Sequence, residues 1–294
     1  MQRRALGQTG IDVSVLGLGT AGLGSAEVPE SDFAKVLHRA LDLGVNLIDT
    51  ARSYALAEAR LGRHLGARRR DVVLCTKGGY FVEGAPDWTP EAITYGIHRA
   101  LRQLKTDYLD VFLLHSCPLE VLKREDLVDA LLQAKDAGKI REAGYSGEGA
   151  ALEWALRSGK FTVLECSVNV VDQRSLGSGI VAEAQERGIG ILAKRPLANA
   201  CFTYPISPGA SDVGIYWGRL QKLKVEPGTL GWAELALRFA AFAPGVSSAI
   251  AGMRTVPHVE ANAAALGGGP LDADLASSIR QAFTAAGASW DGII

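Results

Sequence analysis

The sequence VVLCTKGGYFVEGAPDWTPEAITYGIHRALRQLKTDYLDVFLLH, residues 72–115, contains the repeating unit from which the fold is predicted. Its two ends, VVLCTK (72–77) and LDVFLLH (109–115), are almost continuously apolar, as strands covered on both faces are. Between them TPE at 89–91 is typical of a helix start, and the helix is predicted to run to about Leu104. A strand, a helix and a second strand in this order indicate a parallel pair with a helical crossover.

The same alternation continues along the chain, with further strand-like runs at 13–19, 45–50, 142–146, 163–168, 190–195 and 246–252. Eight strand–helix units in 294 residues predict an α/β protein with a closed (β/α)8 TIM barrel, formed by a single domain over residues 1–294. The flanks of the turn at 8–10 predict an N-terminal β-hairpin that closes the barrel bottom. Residues 257–266 and 271–285 predict two extra C-terminal helices.

Composition and charge exclude several classes of protein. The chain has 31 Lys and Arg against 32 Asp and Glu, and this balance argues against a nucleic-acid partner. We find no uninterrupted apolar segment that would span a membrane and no signal peptide. The four cysteines form no C-x-x-C pair, so we expect reduced thiols, no metal site and a cytoplasmic protein. We expect a monomer or a weak homo-oligomer.

Titratable side chains lie at the predicted C-terminal ends of three consecutive strands, where a barrel of this type has its active site. They are Asp49, Lys77 and His115, and Tyr54 follows Asp49 by five residues. A cation beside a phenol favours the phenolate, so Lys77 is expected to lower the pKa of Tyr54 while Asp49 keeps Lys77 charged. A neutral His115 could donate an N–H to a substrate oxygen. The four residues indicate a site that protonates a carbonyl oxygen.

Each of these residues also has a structural interpretation. Asp49 could cap a helix, Tyr54 could pack in its loop, Lys77 could be a surface residue and His115 a core histidine. One such residue alone is more often structural than catalytic. Four of them at consecutive strand ends favour a functional site.

LIDTARSY, LCTK and LDVFLLH, in this order, resemble the aldo-keto reductase superfamily. The resemblance covers nearly the whole chain and includes VLGLGTAGLG, EARLG, GKIREAGYSG and IAGMRTVPHVEAN. It implies a (β/α)8 barrel that reduces aldehydes and ketones with NAD(P)H, and hence a small-molecule carbonyl substrate. It also implies Tyr54 as the proton donor, Asp49 and Lys77 as the pair that tunes it, and His115 as the group that orients the substrate.

The resemblance further implies that the nicotinamide end of the cofactor is bound by residues near the strand ends: Gly19, Thr20, Ala21, Asp49, Ser146, Glu165, Lys194, Pro196, Leu197 and Gly252. Three positions depart from the family pattern. Gly147 replaces an asparagine, and Glu165 replaces a glutamine, so it can accept a hydrogen bond from a carboxamide but cannot donate one. Lys194 replaces an aromatic residue that stacks on the nicotinamide.

At the adenosine end, the resemblance implies that Arg254 binds a 2′-phosphate, that Asn262 contacts adenine and that His258 assists. A cation at this position favours NADP over NAD, because NAD has no 2′-phosphate to pair with.

Two further segments bear on the fold and the site. Gly17, Gly19 and Gly22 match the spacing of a dinucleotide-binding fingerprint, but no helix is predicted to start at Gly22, so we reject a Rossmann domain. The loop 202–214 is rich in Pro, Ser and Gly and is predicted to be an active-site lid.

Two other functions remain open from the sequence. A Schiff-base lyase or aldolase on the same barrel would use Lys77 as its nucleophile, which requires a partly neutral lysine. A non-catalytic NADP-binding sensor or regulatory protein would keep the fold without turnover.

Overall fold

The computed structural model describes residues 1–287 and 289–293. Parallel strands close into one barrel, in which neighbours along the chain are neighbours in the sheet. These strands are β3 (Leu16–Gly19), β4 (Leu47–Asp49), β5 (Val73–Gly78), β6 (Leu109–His115), β7 (Ile140–Ser146), β8 (Val163–Ser167), β9 (Gly190–Lys194) and β10 (Ser248–Gly252). β10 pairs with both β9 and β3, which closes the ring and confirms the predicted (β/α)8 barrel.

Helices connect the strands on the outside of the barrel. They are α1 (Glu30–Asp42), α2 (Ala57–His64), α3 (Pro90–Leu104), α4 (Leu119–Leu122), α5 (Glu125–Asp136), α6 (Gly149–Arg157), α7 (Arg174–Gly177), α8 (Ile180–Glu186), α9 (Asp212–Leu223), α10 (Trp232–Ala241), α11 (Val256–Gly267) and α12 (Ala273–Ala286). Short 3-10 segments lie at Gly66–Asp71, Ala198–Thr203 and Gly228–Leu230. The Thr89 side chain accepts a hydrogen bond from the Ala92 N–H, which confirms the predicted start of α3. Among the described residues, we find no helix with the length and apolarity that a bilayer crossing requires.

The continuous apolar runs have a simple cause, because each barrel strand is buried on both faces. In β6, Val111 and Leu113 point into the barrel, where they join Leu47 of β4 in one apolar cluster. Phe112 and Leu114 alternate with them and pack against the surrounding helices. Side chains alternate along a strand, so burial of both faces requires apolar residues at consecutive positions.

The N-terminal hairpin forms as predicted. β1 (Arg3–Ala5) pairs antiparallel with β2 (Asp12–Ser14). Leu6, Ile11 and Val13 from this hairpin belong to the same apolar cluster as the barrel interior. The hairpin therefore fills one end of the barrel and leaves the other end for a site.

Three sequence predictions about elements are corrected by the structure. The run 13–19 is not one strand: it divides at Val15 between β2 and β3. The helices predicted at 257–266 and 271–285 are present as α11 and α12, but α11 packs between α10 and α1 and completes the ring, so only α12 of these two is an extra helix. The loop 202–214 is shorter than predicted, since α9 begins at Asp212.

The predicted absence of a Rossmann domain agrees with the structure. β3 ends at Gly19, and the next helix begins only at Glu30. Gly22 therefore opens no helix, which the dinucleotide fingerprint would require.

Candidate active site

The predicted strand-end residues surround one open cavity of about 380 Å³. Six barrel strands contribute their last residue to its lining, namely Gly19, Asp49, His115, Ser146, Lys194 and Gly252. Parallel pairing aligns these ends: Gly19 lies opposite Asp49 and Gly252, and Ser146 lies opposite His115 and Glu165. Of the predicted site residues, Ala21, Tyr54, Glu165, Pro196 and Leu197 also line the cavity.

Lys77 lies beneath this cavity, and its side chain is fully buried. Its ammonium donates a hydrogen bond to Asp49 Oδ1 and lies 3.3 Å from Glu165 Oε2. Burial alone would lower the pKa of Lys77, but the two carboxylates together raise it well above its usual value. Lys77 is therefore a fixed positive charge at neutral pH.

The two carboxylates around Lys77 carry more negative charge than one ammonium balances. Burial raises the pKa of Asp49, Lys77 lowers it and Glu165 raises it, with a net result of about 7. Cys75 lies beside them, and its thiol with the two carboxylates has the spacing of a metal site. Their cation in this structure is the Lys77 ammonium, which already pairs with both carboxylates.

Tyr54 lies above Lys77, whose Nζ is 5.4 Å from the centre of the phenol ring. The loop that carries Tyr54 is held by the Arg52 N–H, which donates to the Lys77 carbonyl at 3.1 Å. Lys77 lowers the pKa of Tyr54, but burial and the charges of Asp49 and Glu165 outweigh it, and the pKa lies above its usual value. The expected lowering is therefore wrong for the protein without substrate or cofactor: the phenol keeps its proton.

His115 faces Tyr54 across the cavity, with ring centres 6.0 Å apart and nearly perpendicular rings. Burial, and after it the charge of Lys77, lowers the pKa of His115 to about 3. The imidazole is thus neutral at physiological pH, the form that the sequence analysis considered as a donor to a substrate oxygen. Its Nδ1 lies 2.9 Å from the hydroxyl of Tyr80.

Ser146 and Glu165 form a small acceptor surface on the cavity wall. The Ser146 hydroxyl donates to Glu165 Oε1 at 2.8 Å, so Ser146 can only accept a hydrogen bond from a ligand. Glu165 Oε2 is buried and makes no hydrogen bond within the described part of the chain; its contact with Lys77 is an ion pair without hydrogen-bond geometry. Both residues line the cavity, so a ligand with N–H donors, such as a carboxamide NH2, would meet acceptor oxygens on this wall.

The surroundings of Gly147 and Lys194 show what each position can accommodate. A Cβ on Gly147 would lie 2.3 Å from the Tyr145 hydroxyl, which is bonded to the Cys117 carbonyl, so a larger residue does not fit here. Lys194 lines the cavity, and its ammonium lies 3.4 Å from Glu148 Oε1. Because the ammonium pairs with Glu148, the alkyl part of the Lys194 side chain is the part that can pack against the flat ring of a ligand.

Four of the predicted cofactor residues lie outside the cavity lining. Thr20 is fully buried, and both its N–H and its hydroxyl donate to the Asp49 carbonyl, so it supports Asp49 instead of facing a ligand. Arg254, His258 and Asn262 lie before and along α11. Arg254 is exposed, and its Cδ would lie 3.5 Å from a Cβ on Gly22, at the rim of the cavity.

Several lining residues were not predicted from the sequence. They are Gly22, Ser116, Arg195, Asn199, Ala200, Ile250 and Ala251. Ser116, Arg195, Asn199 and Ala200 all have positive φ angles, a conformation that costs energy in non-glycine residues and concentrates at functional sites. These positive φ angles could not be predicted from the sequence, because serine, arginine and alanine do not favour the left-handed region.

Comparisons with known proteins agree with this architecture. A sequence profile described as "Aldo/keto reductase family" matches residues 15–283. The chain is 29% identical over 291 residues to L-galactose dehydrogenase of Arabidopsis thaliana. This match covers 90% of this chain and 88% of that protein. The chain is 26% identical over 314 residues to the NADH-specific methylglyoxal reductase of Escherichia coli, with 93% and 96% of the two chains covered.

A solved structure is also similar over nearly the full length. It is the holo form of an aldo-keto reductase from Bacillus halodurans, with a TM-score of 0.86 and 26% sequence identity. The match covers 99% of this chain and 98% of that chain.

Proposed function

This chain belongs to the aldo/keto reductase family, a family of oxidoreductases, and from that premise we propose that it reduces an aldehyde or ketone to an alcohol with NADP(H). The observation that carries the proposal is the convergence of a protonated phenol, a buried ammonium and a neutral imidazole on one cavity. Tyr54, Lys77 and His115 supply these groups.

Tyr54 is the proton donor in this proposal. Its hydroxyl is protonated before the reaction, because its pKa lies above the usual value. A carbonyl oxygen that gains negative charge becomes a strong base and takes that proton. The phenolate left behind is stabilised by the Lys77 ammonium below the ring, which is why a fixed charge at this point helps the reaction.

His115 orients the carbonyl group. A neutral imidazole carries one N–H, which can donate a hydrogen bond to the substrate oxygen without competing with Tyr54 for the proton. Asp49 holds Lys77 in place through a buried hydrogen bond. Asp49 is held in turn by Thr20 through its backbone carbonyl.

When bound, NADPH would supply a hydride to the carbonyl carbon. Ser146 and Glu165 would accept hydrogen bonds from its carboxamide, since both residues line the cavity and both carry acceptor oxygens. The backbone near Gly19, Ala21 and Gly252 leaves room for a flat ring. Lys194, Pro196 and Leu197 also line the cavity.

The preference for NADP over NAD rests on Arg254. It is an exposed guanidinium placed just before α11, so it is available to pair with a phosphate. His258 lies in the first turn of α11, and Asn262 lies one turn further along. Because one relative is named as NADH-specific, both cofactors belong in any assay.

The structure disfavours a Schiff-base lyase. A lysine nucleophile must lose its proton, but Lys77 lies between two carboxylates that raise its pKa well above the usual value. A non-catalytic sensor differs from a reductase only in turnover, so an activity measurement separates the two.

Tyr54→Phe tests the proposed function. We expect the wild type to consume NADPH with a reactive carbonyl compound such as methylglyoxal. The variant should lose at least about 100-fold in kcat, the usual contribution of a general acid. NADPH binding, followed by fluorescence, should remain. The reverse direction is measured with L-galactose and both oxidised cofactors.

Tyr95→Phe is the matched control, because Tyr95 is an exposed residue of α3. Full activity in Tyr54→Phe would remove Tyr54 from its assigned role. Tight NADPH binding by the wild type without turnover of any carbonyl or alcohol in a broad panel would favour the sensor.

A further inference from the structure

Tyr80 contacts the imidazole of His115 and is not itself part of the cavity lining. Its hydroxyl lies 2.9 Å from Nδ1 of the imidazole, and the two ring centres are 5.5 Å apart. The second polar neighbour of the hydroxyl is Ser53 Oγ, at 3.4 Å. Nδ1 of His115 is therefore occupied, and Nε2 is the ring nitrogen left for a ligand.

The backbone after β5 places Tyr80 at this point. Gly79 has a φ of +124°, and a Cβ on it would lie 2.2 Å from the ring of Trp88. The backbone N–H of Trp88 donates to the Gly79 carbonyl at 2.7 Å. The ring centres of Trp88 and Tyr80 are 5.5 Å apart. Tyr80 is thus half-buried and held by an indole and a backbone hydrogen bond, so its hydroxyl has a defined position.

The hydroxyl decides which nitrogen of His115 carries the proton. A neutral imidazole has one N–H, and the nitrogen without it can only accept a hydrogen bond. If Tyr80 donates to Nδ1, the proton lies on Nε2, where it can be donated to a carbonyl oxygen. If Tyr80 donates to Ser53 instead, Nδ1 keeps the proton and Nε2 has none to offer.

The distances favour the first arrangement. The contact with Nδ1 is 0.5 Å shorter than the contact with Ser53 Oγ, which is long for a bond between two oxygens. A phenol hydroxyl is also a good donor to a neutral imidazole nitrogen, which is the strongest acceptor near it.

We propose that Tyr80 is a positioning residue that donates its hydroxyl proton to His115 Nδ1 and so fixes the imidazole in the Nε2–H tautomer and in one orientation. Its effect on reduction rests on the proposed function. The tautomer itself does not, because it is a property of the protein without substrate.

The test is Tyr80→Phe, which removes the hydroxyl and keeps the ring that packs on Trp88. Nitrogen-15 NMR of the His115 ring, assigned by its loss in His115→Gln, reads the tautomer directly. We expect the proton on Nε2 in the wild type and a mixture of both tautomers in Tyr80→Phe. We also expect kcat for carbonyl reduction to fall about 10-fold, the size of one lost hydrogen bond, with NADPH affinity unchanged.

Ser53→Ala is the matched control, since it removes the other polar neighbour of the Tyr80 hydroxyl. It should keep the wild-type tautomer and rate. A proton on Nδ1 in the wild type, or an unchanged tautomer in Tyr80→Phe, overturns the proposal. If the expected tautomers are found but the wild type reduces no carbonyl compound, the proposed function fails while the role of Tyr80 toward His115 stands.

Discussion

At the scale of single residues, Glu165 changes the chemistry of the site most. Its side chain is a second buried carboxylate beside Lys77, with Oε2 3.3 Å from the Lys77 ammonium. The repulsion between Glu165 and Asp49 adds to burial in raising the pKa of Asp49. Asp49 therefore titrates close to neutral pH, next to the proposed proton donor, whereas Lys77 and Lys194 outweigh burial and hold the pKa of Glu165 below its usual value.

Glu165→Gln is expected to move this titration to lower pH. The amide is neutral, so the repulsion that helps to raise the pKa of Asp49 is lost, and Asp49 stays ionised at lower pH. The acidic inflection in the pH dependence of kcat/KM should shift down with it.

Glu153→Gln is the control for the pH profile, since Glu153 lies on the surface of α6 and pairs with Arg157. It should leave the profile unchanged. An inflection that does not move in Glu165→Gln would show that Asp49 and Glu165 titrate independently.

At the scale of elements, the loop between β3 and α1 determines where Tyr54 lies. A Cβ on Gly24 would be 2.1 Å from the Tyr54 carbonyl, so the two loops touch through their backbones. The Leu56 N–H donates to the Gly24 carbonyl at 3.0 Å, and the buried Arg60 guanidinium bonds the carbonyls of Leu23, Ser25 and Val28. The glycine is needed here for close approach.

Gly24→Ala is expected to move the loop that carries Tyr54 and to lower both stability and activity. Forcing a methyl group into a packed contact costs about 1–3 kcal/mol. Urea unfolding measures the free energy of unfolding, and kcat for carbonyl reduction measures the displacement of Tyr54.

Gly218→Ala is the comparison, because Gly218 lies inside α9 with nothing within 4 Å of an added Cβ. It should be neutral or gain about 0.5–1 kcal/mol, since alanine is the better helix former. A stable and fully active Gly24→Ala would mean that the two loops can separate without affecting the site.

At the scale of the whole molecule, the proposed cofactor site joins two neighbouring parts of the barrel. One part is the cavity at the strand ends, and the other is the start of α11, which packs between the first helix and α10. α11 is tied to α1 by an ion pair of 2.8 Å between Arg39 and Glu260. A ligand that contacts both parts binds the folded barrel alone and so stabilises it.

NADPH is therefore expected to raise the Tm of the wild type. At about 100 times its Kd, it would add about 2.7 kcal/mol to the free energy of unfolding. Arg254→Ala should lose most of this gain with NADPH and little with NADH, because a charge-assisted hydrogen bond to phosphate contributes about 1.5–3 kcal/mol.

Arg280→Ala, an exposed arginine on α12, controls for loss of surface charge. Equal losses with the two cofactors in Arg254→Ala would overturn the assignment of Arg254 to the 2′-phosphate. The proposal of NADP as the preferred cofactor would then have to be abandoned.

The barrel and the positions of Asp49, Lys77 and His115 were predictable from local patterns. Strands buried on both faces leave apolar runs, and parallel strands bring their C-terminal ends together whatever their loops do. These two regularities are enough to place the three side chains at one end of the barrel, since each lies at the end of its own run. The division of the run at 13–19 and the place of α11 in the ring were not predictable, because both depend on which neighbour a segment packs against.

The side-chain contacts that determine pKa values and orientation in the site depend on packing between segments that are distant in the sequence. Glu165 reaches Lys77 and Tyr80 reaches His115 across 88 and 35 residues of chain, and Thr20 turns toward the Asp49 carbonyl instead of the cavity. The direction of a side chain depends on backbone angles and close neighbours, such as the positive φ of Gly79 beneath Trp88, that composition and periodicity do not encode. Even the sign of the pKa shift of Tyr54 depends on these contacts, since burial and two carboxylates together outweigh one ammonium.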